Sequence, residues 1–104
     1  MAQSLGILVT SDKHMDYVVN LTAAAHKKEK SVQIFFTGGG VKLSLTPDFN
    51  KLVGKAKLAI CDVSFRAQGF HGRENEVPGV GFKDFATQAR NAEMSAECDR
   101  YIVL

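Results

Sequence analysis

Of the side chains able to do chemistry in this 104-residue chain, the two cysteines differ most in their placement. Cys61 closes the apolar run Leu58-Ala59-Ile60 and is followed at once by Asp62, Val63 and Ser64. A thiol where a strand meets a helix faces backbone N–H groups that have no partner inside the helix, and these favour thiolate over thiol. Arg66, His71 and Arg73 follow closely and are expected to add positive charge, while Asp62 opposes it unless its carboxylate caps the helix. The opposing reading takes Cys61 as a small hydrophobe that completes the strand, since free cysteine is among the most buried residue types. Ser64 stands where a second thiol would complete a C-x-x-C pair, so dithiol exchange at that motif is excluded.

Cys98 lies between Glu97 and Asp99, neighbours of the wrong sign for a thiolate, and is expected to serve packing. His14, His26 and His71 lack the spacing of a metal site, so neither metal nor cofactor is expected. Only His71, in a glycine-rich loop near Cys61, is a candidate acid–base partner. The stretch Thr37-Gly38-Gly39-Gly40 has neither the G-x-G-x-x-G spacing of a dinucleotide site nor a P-loop lysine. Its glycines are expected to permit a close backbone approach, with Gly38 and Gly39 as supporting positions. Ser11, in Thr10-Ser11-Asp12, joins them because it also follows an apolar run.

These residues need elements to hold them. Leu5 to Val9, Val32 to Phe36, Leu58 to Cys61 and Tyr101 to Leu104 read as strands, the first three followed by polar or glycine residues. Helical spacing is expected over 13–30, with Thr10-Ser11-Asp12 as cap residues, and over 82–97, with Phe82, Phe85, Ala86, Ala89 and Ala96 on one stripe. A short helix is expected over 47–54, with Phe49, Leu52 and Val53 inward, and a brief one over 63–68. A further short strand is expected near 76–80. This alternation predicts one α/β domain over residues 1–104, a three-layer sandwich with a mainly parallel sheet of about five strands and helices on both faces. If the first three strands are parallel neighbours, their polar ends share one edge, which is where sites form in such sheets.

The composition excludes more than it names. A net charge of +2 gives no field that argues for nucleic acid or an anionic membrane. No stretch approaches the length of a membrane span, and the opening lacks a basic leader, so no signal peptide is expected. Two cysteines make no disulfide framework, and a reduced, cytoplasmic protein is expected.

Taken together, "GILVTSD", "VQIFFTGGGV", "LAICDVSFRAQG" and "ECDRYIVL" resemble, in order and spacing, the DsrE/DsrF-like (YchN-like) family of small sulfur-relay proteins. The best single motif is the apolar strand ending in cysteine, then a short helix and a glycine. Relatives carry C-x-x-C or a lone cysteine there and an Ala-Arg-Gly-like triplet. This chain has Cys61 with Ser64, then Ala67-Gln68-Gly69, so Gln68 removes a cation. The resemblance implies homotrimers or homohexamers and a cysteine, matching Cys61, that carries sulfur as a persulfide between donor and acceptor proteins. The alternative function is a non-enzymatic, oligomeric module of the same fold that binds a small ligand or protein.

Overall fold

The computed structural model describes residues 3–104. Three short apolar runs, rich in Val, Ile, Leu and Phe, form the centre of the sheet: β1 (Ser4–Val9), β2 (Ser31–Phe36) and β3 (Lys57–Cys61). Such runs suit strands buried on both faces. Two short edge strands complete it, β4 (Phe85–Ala86) and β5 (Arg100–Val103). All pairings are parallel, and the order is β4-β3-β2-β1-β5. The α/β class and the five strands are as expected, and the sheet is wholly parallel.

That order fixes where the connections run. Steps from β1 through β2 and β3 to β4 all move one way across the sheet, so right-handed crossovers put their connections on one face. They are α1 (Met15–Lys27), two 3-10 helices (Gly38–Leu45 and Pro47–Leu52) and α2 (Asp62–Ala67). The return from β4 to β5 runs the other way and sends α3 (Gln88–Glu97) to the opposite face. Side-chain packing follows this division. Ile7, Val9, Ile34, Phe36, Leu58 and Ile60 pack with Val18, Phe49, Leu52 and Phe65 in one cluster. The alternate residues Phe35, Ala59 and Cys61 pack with Met94 of α3 in a second, smaller one. Fully burying a phenylalanine or isoleucine contributes about 1.5–3 kcal/mol, so the larger cluster dominates stability.

Several boundaries differ from the sequence expectation, each for a local reason. Helix α1 starts later, with His14 at its cap position and no side-chain cap bond. The Ser11 hydroxyl instead accepts from the Lys13 N–H at 3.1 Å. The segment near 76–80 is not a strand; a 3-10 turn occupies Glu74–Glu76. The expected helix over 82–97 is broken at its start. The Gly81 N–H donates to Asp84 Oδ2 at 2.8 Å, closing a 3-10 turn over Phe82–Asp84. Phe85 and Ala86 then pair with Ile60 and Cys61. The helix begins only at Gln88, capped by the Thr87 hydroxyl, which accepts from the Ala89 N–H at 3.3 Å. Of the expected stripe, Phe82 is 93% exposed, and Ala89 and Ala96 face solvent; Met94 is the buried anchor. Val53 is likewise exposed where an inward side chain was expected, because the 3-10 helix before it ends at Leu52.

Candidate functional site

The carboxyl ends of β1, β2 and β3 do lie side by side, since the three are consecutive in the sheet. The connection leaving β3 goes to one face and the one leaving β4 to the other. Divergence of this kind opens a crevice at the strand ends, the preferred place for sites in parallel sheets. Cys61, the last residue of β3, stands at this point with its side chain in the α3-face cluster.

The tight junction aims the thiol at donors. Cys61 keeps extended backbone geometry (φ −69°, ψ 114°) as the cap residue of α2, so its sulfur looks along the first helical turn. The expected cap, Asp62, lies inside the helix instead. Cys61 is only 5% exposed, and this burial pushes its thiol up. Against it act the Ser64 hydroxyl and N–H, the Thr37 hydroxyl and the Val63 N–H, which together hold the thiol below the usual cysteine range.

The two hydroxyls are oriented by what they accept. Ser64 Oγ accepts the Gly38 N–H at 3.0 Å, and Thr37 Oγ1 accepts from Gln88 Nε2 at 2.9 Å. A hydroxyl with a lone pair so engaged has one proton left to aim. Ser64 and Thr37 stand 3.3 Å apart, so one can also support the other. Gln88 Nε2 itself lies 3.9 Å from Cys61 Sγ. The arrangement suits an anionic sulfur: neutral, preset donors surround it, and none of them is lost when pH changes.

The glycines of Thr37-Gly38-Gly39-Gly40 explain how β2's end comes so near. A Cβ on Gly40 would overlap the Val9 carbonyl, so only glycine lets this loop press against β1. Gly38 adopts φ +54° and presents its N–H to Ser64. Gly39 lies beside the Thr10 carbonyl, within the same packing. The expected close approach is real, and its partner is the chain's own first strand.

The cations are placed otherwise than expected. Arg66 pairs with Asp62 at 3.2 Å, His71 with Glu74 at 3.4 Å, and Arg73 with Glu76 at 2.9 Å. The Arg73 guanidinium also sits over the Phe70 ring at 5.6 Å. Arg66 and His71 line an open cleft of about 460 Å³ with Asp62, Glu74, Asn75, Phe82 and Phe85. Phe85 belongs to the larger cluster, so this cleft opens on the α2 side while the thiol points to the α3 side. None of Arg66, His71 and Arg73 is among the groups that lower the Cys61 thiol. Ser11 Oγ accepts from the Lys13 N–H, away from the hydrogen bonds that join Ser64, Thr37, Gly38 and Gln88.

Thr37 and Gln88 are the site residues that sequence reasoning missed. Thr37 stood at a strand end, a signal open to use; Gln88 was hidden inside an overlong helix. Cys98, by contrast, packs beside Gly6 near the other end of the sheet. Gly6 is in register with Gln33 and through it with Lys57, the first residue of β3, whereas Cys61 is the last. Burial pushes the Cys98 thiol up and Glu97 and Asp99 push the same way, against a hydrogen bond from Ser4. Among the described residues, no three His, Cys, Asp or Glu side chains gather as a metal site requires, and no helix is long and apolar enough to cross a membrane. No protein-family model matches the chain, and no curated protein matches it.

Proposed function

We propose that this protein is a sulfur carrier of the DsrE/DsrF-like kind, in which the Cys61 thiolate accepts sulfane sulfur and passes it to a partner thiol. The observation that carries the reading is the set of neutral donors from Ser64, Thr37 and Val63 around a thiol at the strand–helix junction. In the accepting step the Cys61 sulfur attacks the outer sulfur of a donor hydropersulfide, R–S–SH. A Cys61–S bond forms, the S–S bond of the donor breaks, and R–S⁻ leaves; the proton stays on the transferred sulfur. In the passing step an acceptor thiolate attacks the outer sulfur of Cys61–S–SH, and Cys61 leaves as thiolate. Neither step needs an external oxidant or reductant. A single thiol suffices, in keeping with Ser64 at the position of a second cysteine.

Intact mass spectrometry after incubation with a persulfide donor tests this. The expected result is an adduct of one sulfur mass that is absent from Cys61→Ser and kept in Cys98→Ser. An adduct that survives Cys61→Ser overturns it.

The resemblance also motivates assembly as homotrimers or homohexamers, and exposed apolar residues favour some self-association: Val103 is 56%, Val63 72% and Phe82 93% exposed. Light scattering that returns a monomer mass would refute this part. Two free cysteines fit a cytoplasmic setting. The low exposure of Cys61 is the observation that favours the second reading, a non-enzymatic binding module. Under it, iodoacetamide at neutral pH leaves Cys61 unmodified.

A further inference from the structure

We infer that the Gln88 side chain is a removable strap across Cys61, tied to Thr37 when shut, which controls access of reagents to the sulfur. The inference rests on the reading of Cys61 as the reacting thiol and deepens it.

The order of the sheet sets what this bond crosses. Gln88 follows β4, Thr37 follows β2, and β3 lies between those two strands. A bond from Gln88 Nε2 to Thr37 Oγ1, here 2.9 Å, therefore passes over the end of β3, where Cys61 sits. The 3.9 Å from the same nitrogen to Sγ shows how closely it passes. Cys61 is 5% exposed, while Gln88, which lies above it, is an exposed residue. The sulfur's cover is thus partly a mobile type of side chain anchored at one end by the first turn of α3 and at the other by one hydrogen bond.

A single neutral hydrogen bond of this kind biases an equilibrium only about fivefold. Rotation of Gln88 away from Thr37 therefore leaves a substantial open population. It uncovers the sulfur without disturbing Ser64 or the Val63 and Ser64 N–H groups, which belong to α2. Once sulfur is loaded, the outer atom extends about 2 Å beyond Sγ, into the space the strap occupies when shut. Carriage and closure therefore exclude one another unless Gln88 moves.

The test separates access from acidity. Cys61 modification is followed against pH in wild type and Gln88→Ala, with iodoacetamide as the slim reagent and an aromatic disulfide, 5,5′-dithiobis(2-nitrobenzoate), as the bulky one. At the high-pH plateau all Cys61 is thiolate, so the rate reports access and intrinsic nucleophilicity, and the ratio of the bulky to the slim reagent isolates access. The expected result is a plateau about fivefold higher for the bulky reagent in Gln88→Ala, with a smaller rise for iodoacetamide and an unchanged Cys98 rate as internal control. Equal plateaus in the two proteins overturn the strap, as does a lower one in the variant. A wild-type protein that gains no sulfur from a persulfide donor defeats the carrier reading instead, and leaves the plateau comparison intact.

Discussion

Cys61 and Cys98 share one face of the sheet: Cys61 is part of the small buried cluster with Met94, and Cys98 packs against that cluster. Their acidities are nevertheless pushed in opposite directions. Helix α3 sets part of the contrast, because Gln88 at its first turn reaches Cys61 and Cys98 is its C-terminal cap. A helix presents partial positive charge at its N-terminus and partial negative charge at its C-terminus. Local chemistry adds to this. Cys61 meets hydroxyl and N–H donors, and Cys98 meets two carboxylates of its chain neighbours. The more deeply buried of the two thiols is thus the one disposed to ionise, and the less buried one is disposed to stay protonated. What decides is the local company of each sulfur: hydroxyl and N–H donors that outweigh burial at Cys61, and burial with two adjacent carboxylates at Cys98.

The largest expected effect is on reactivity. At pH 7, a larger fraction of Cys61 than of Cys98 should be present as thiolate, since the first thiol is lowered and the second raised. Ultraviolet thiolate absorbance in Cys98→Ser and Cys61→Ser measures each alone. Coincident titration curves would break the contrast. Ser64→Ala should then remove much of the difference and shift the Cys61 titration upward, because the Ser64 hydroxyl is the foremost of the groups that hold the thiol down. Thr37→Val should act the same way but less.

The same opposition appears in stability. The Cys61 thiol is lowered on folding, so between its own pKa and the ordinary cysteine value the folded state binds fewer protons than the unfolded chain. Its contribution is full above the ordinary value and is lost as pH falls through the lowered one. Cys98 is raised, so its contribution is full below the ordinary value and is lost as pH rises through the raised one. The stability of wild type relative to Cys61→Ser should therefore climb with pH, and that relative to Cys98→Ser should decline. Urea titrations across this alkaline range check both signs.

How much of this was legible in the sequence depends on the distance over which each feature is decided. The central strands announce themselves as apolar runs, and their polar ends mark the right edge of the sheet. The position of Cys61 at one of those ends was readable for the same reason. Strand β4 is not, because its two residues pair only where Ile60 and Cys61 already stand, and nothing local demands it. The Gln88–Thr37 bond spans 51 residues, so no window of sequence contains it. The ion pairs are a different case. Asp62 and Arg66 are four apart, and His71–Glu74 and Arg73–Glu76 are three apart, spacings at which opposite charges commonly meet. Weighing those acids before assigning the cations to the thiol finds the pairs from sequence alone.

Two glycines sharpen the contrast at the level of packing, one beside each thiol's neighbourhood. A methyl at Gly40 meets the Val9 backbone carbonyl, which cannot move without shifting β1. Gly40→Ala should cost about 3 kcal/mol, the upper part of the range for overpacking, and should slow Cys61 labelling by displacing Thr37 and Gly38. A methyl at Gly6 meets Met94 Cγ at 2.9 Å and Cys98 Sγ at 3.1 Å. Both are side-chain atoms, and methionine adapts readily. Gly6→Ala should therefore cost less, about 1 kcal/mol, and reach Cys61 only through Met94, so that its labelling changes less than in Gly40→Ala. Equal losses in urea denaturation would show that backbone and side-chain obstacles are not distinguished here.

The smallest effect belongs to the residues that charge alone would rank first. Arg66 and Arg73 are each paired with a carboxylate of the same local segment, and the side chains are about half exposed, at 58% and 47%. Solvent screens such pairs, so their coupling is weak. Neutralising either cation removes one unit charge and leaves its acid unpaired, but neither arginine is among the groups that act on the Cys61 sulfur and both stand in solvent, so the field there changes little. Arg66→Gln and Arg73→Gln should accordingly change the Cys61 alkylation rate at pH 7 by less than about twofold, with little dependence on salt. A tenfold loss that high salt erases would mean that long-range positive charge holds the thiolate after all, and that the neutral donors around Cys61 only orient it.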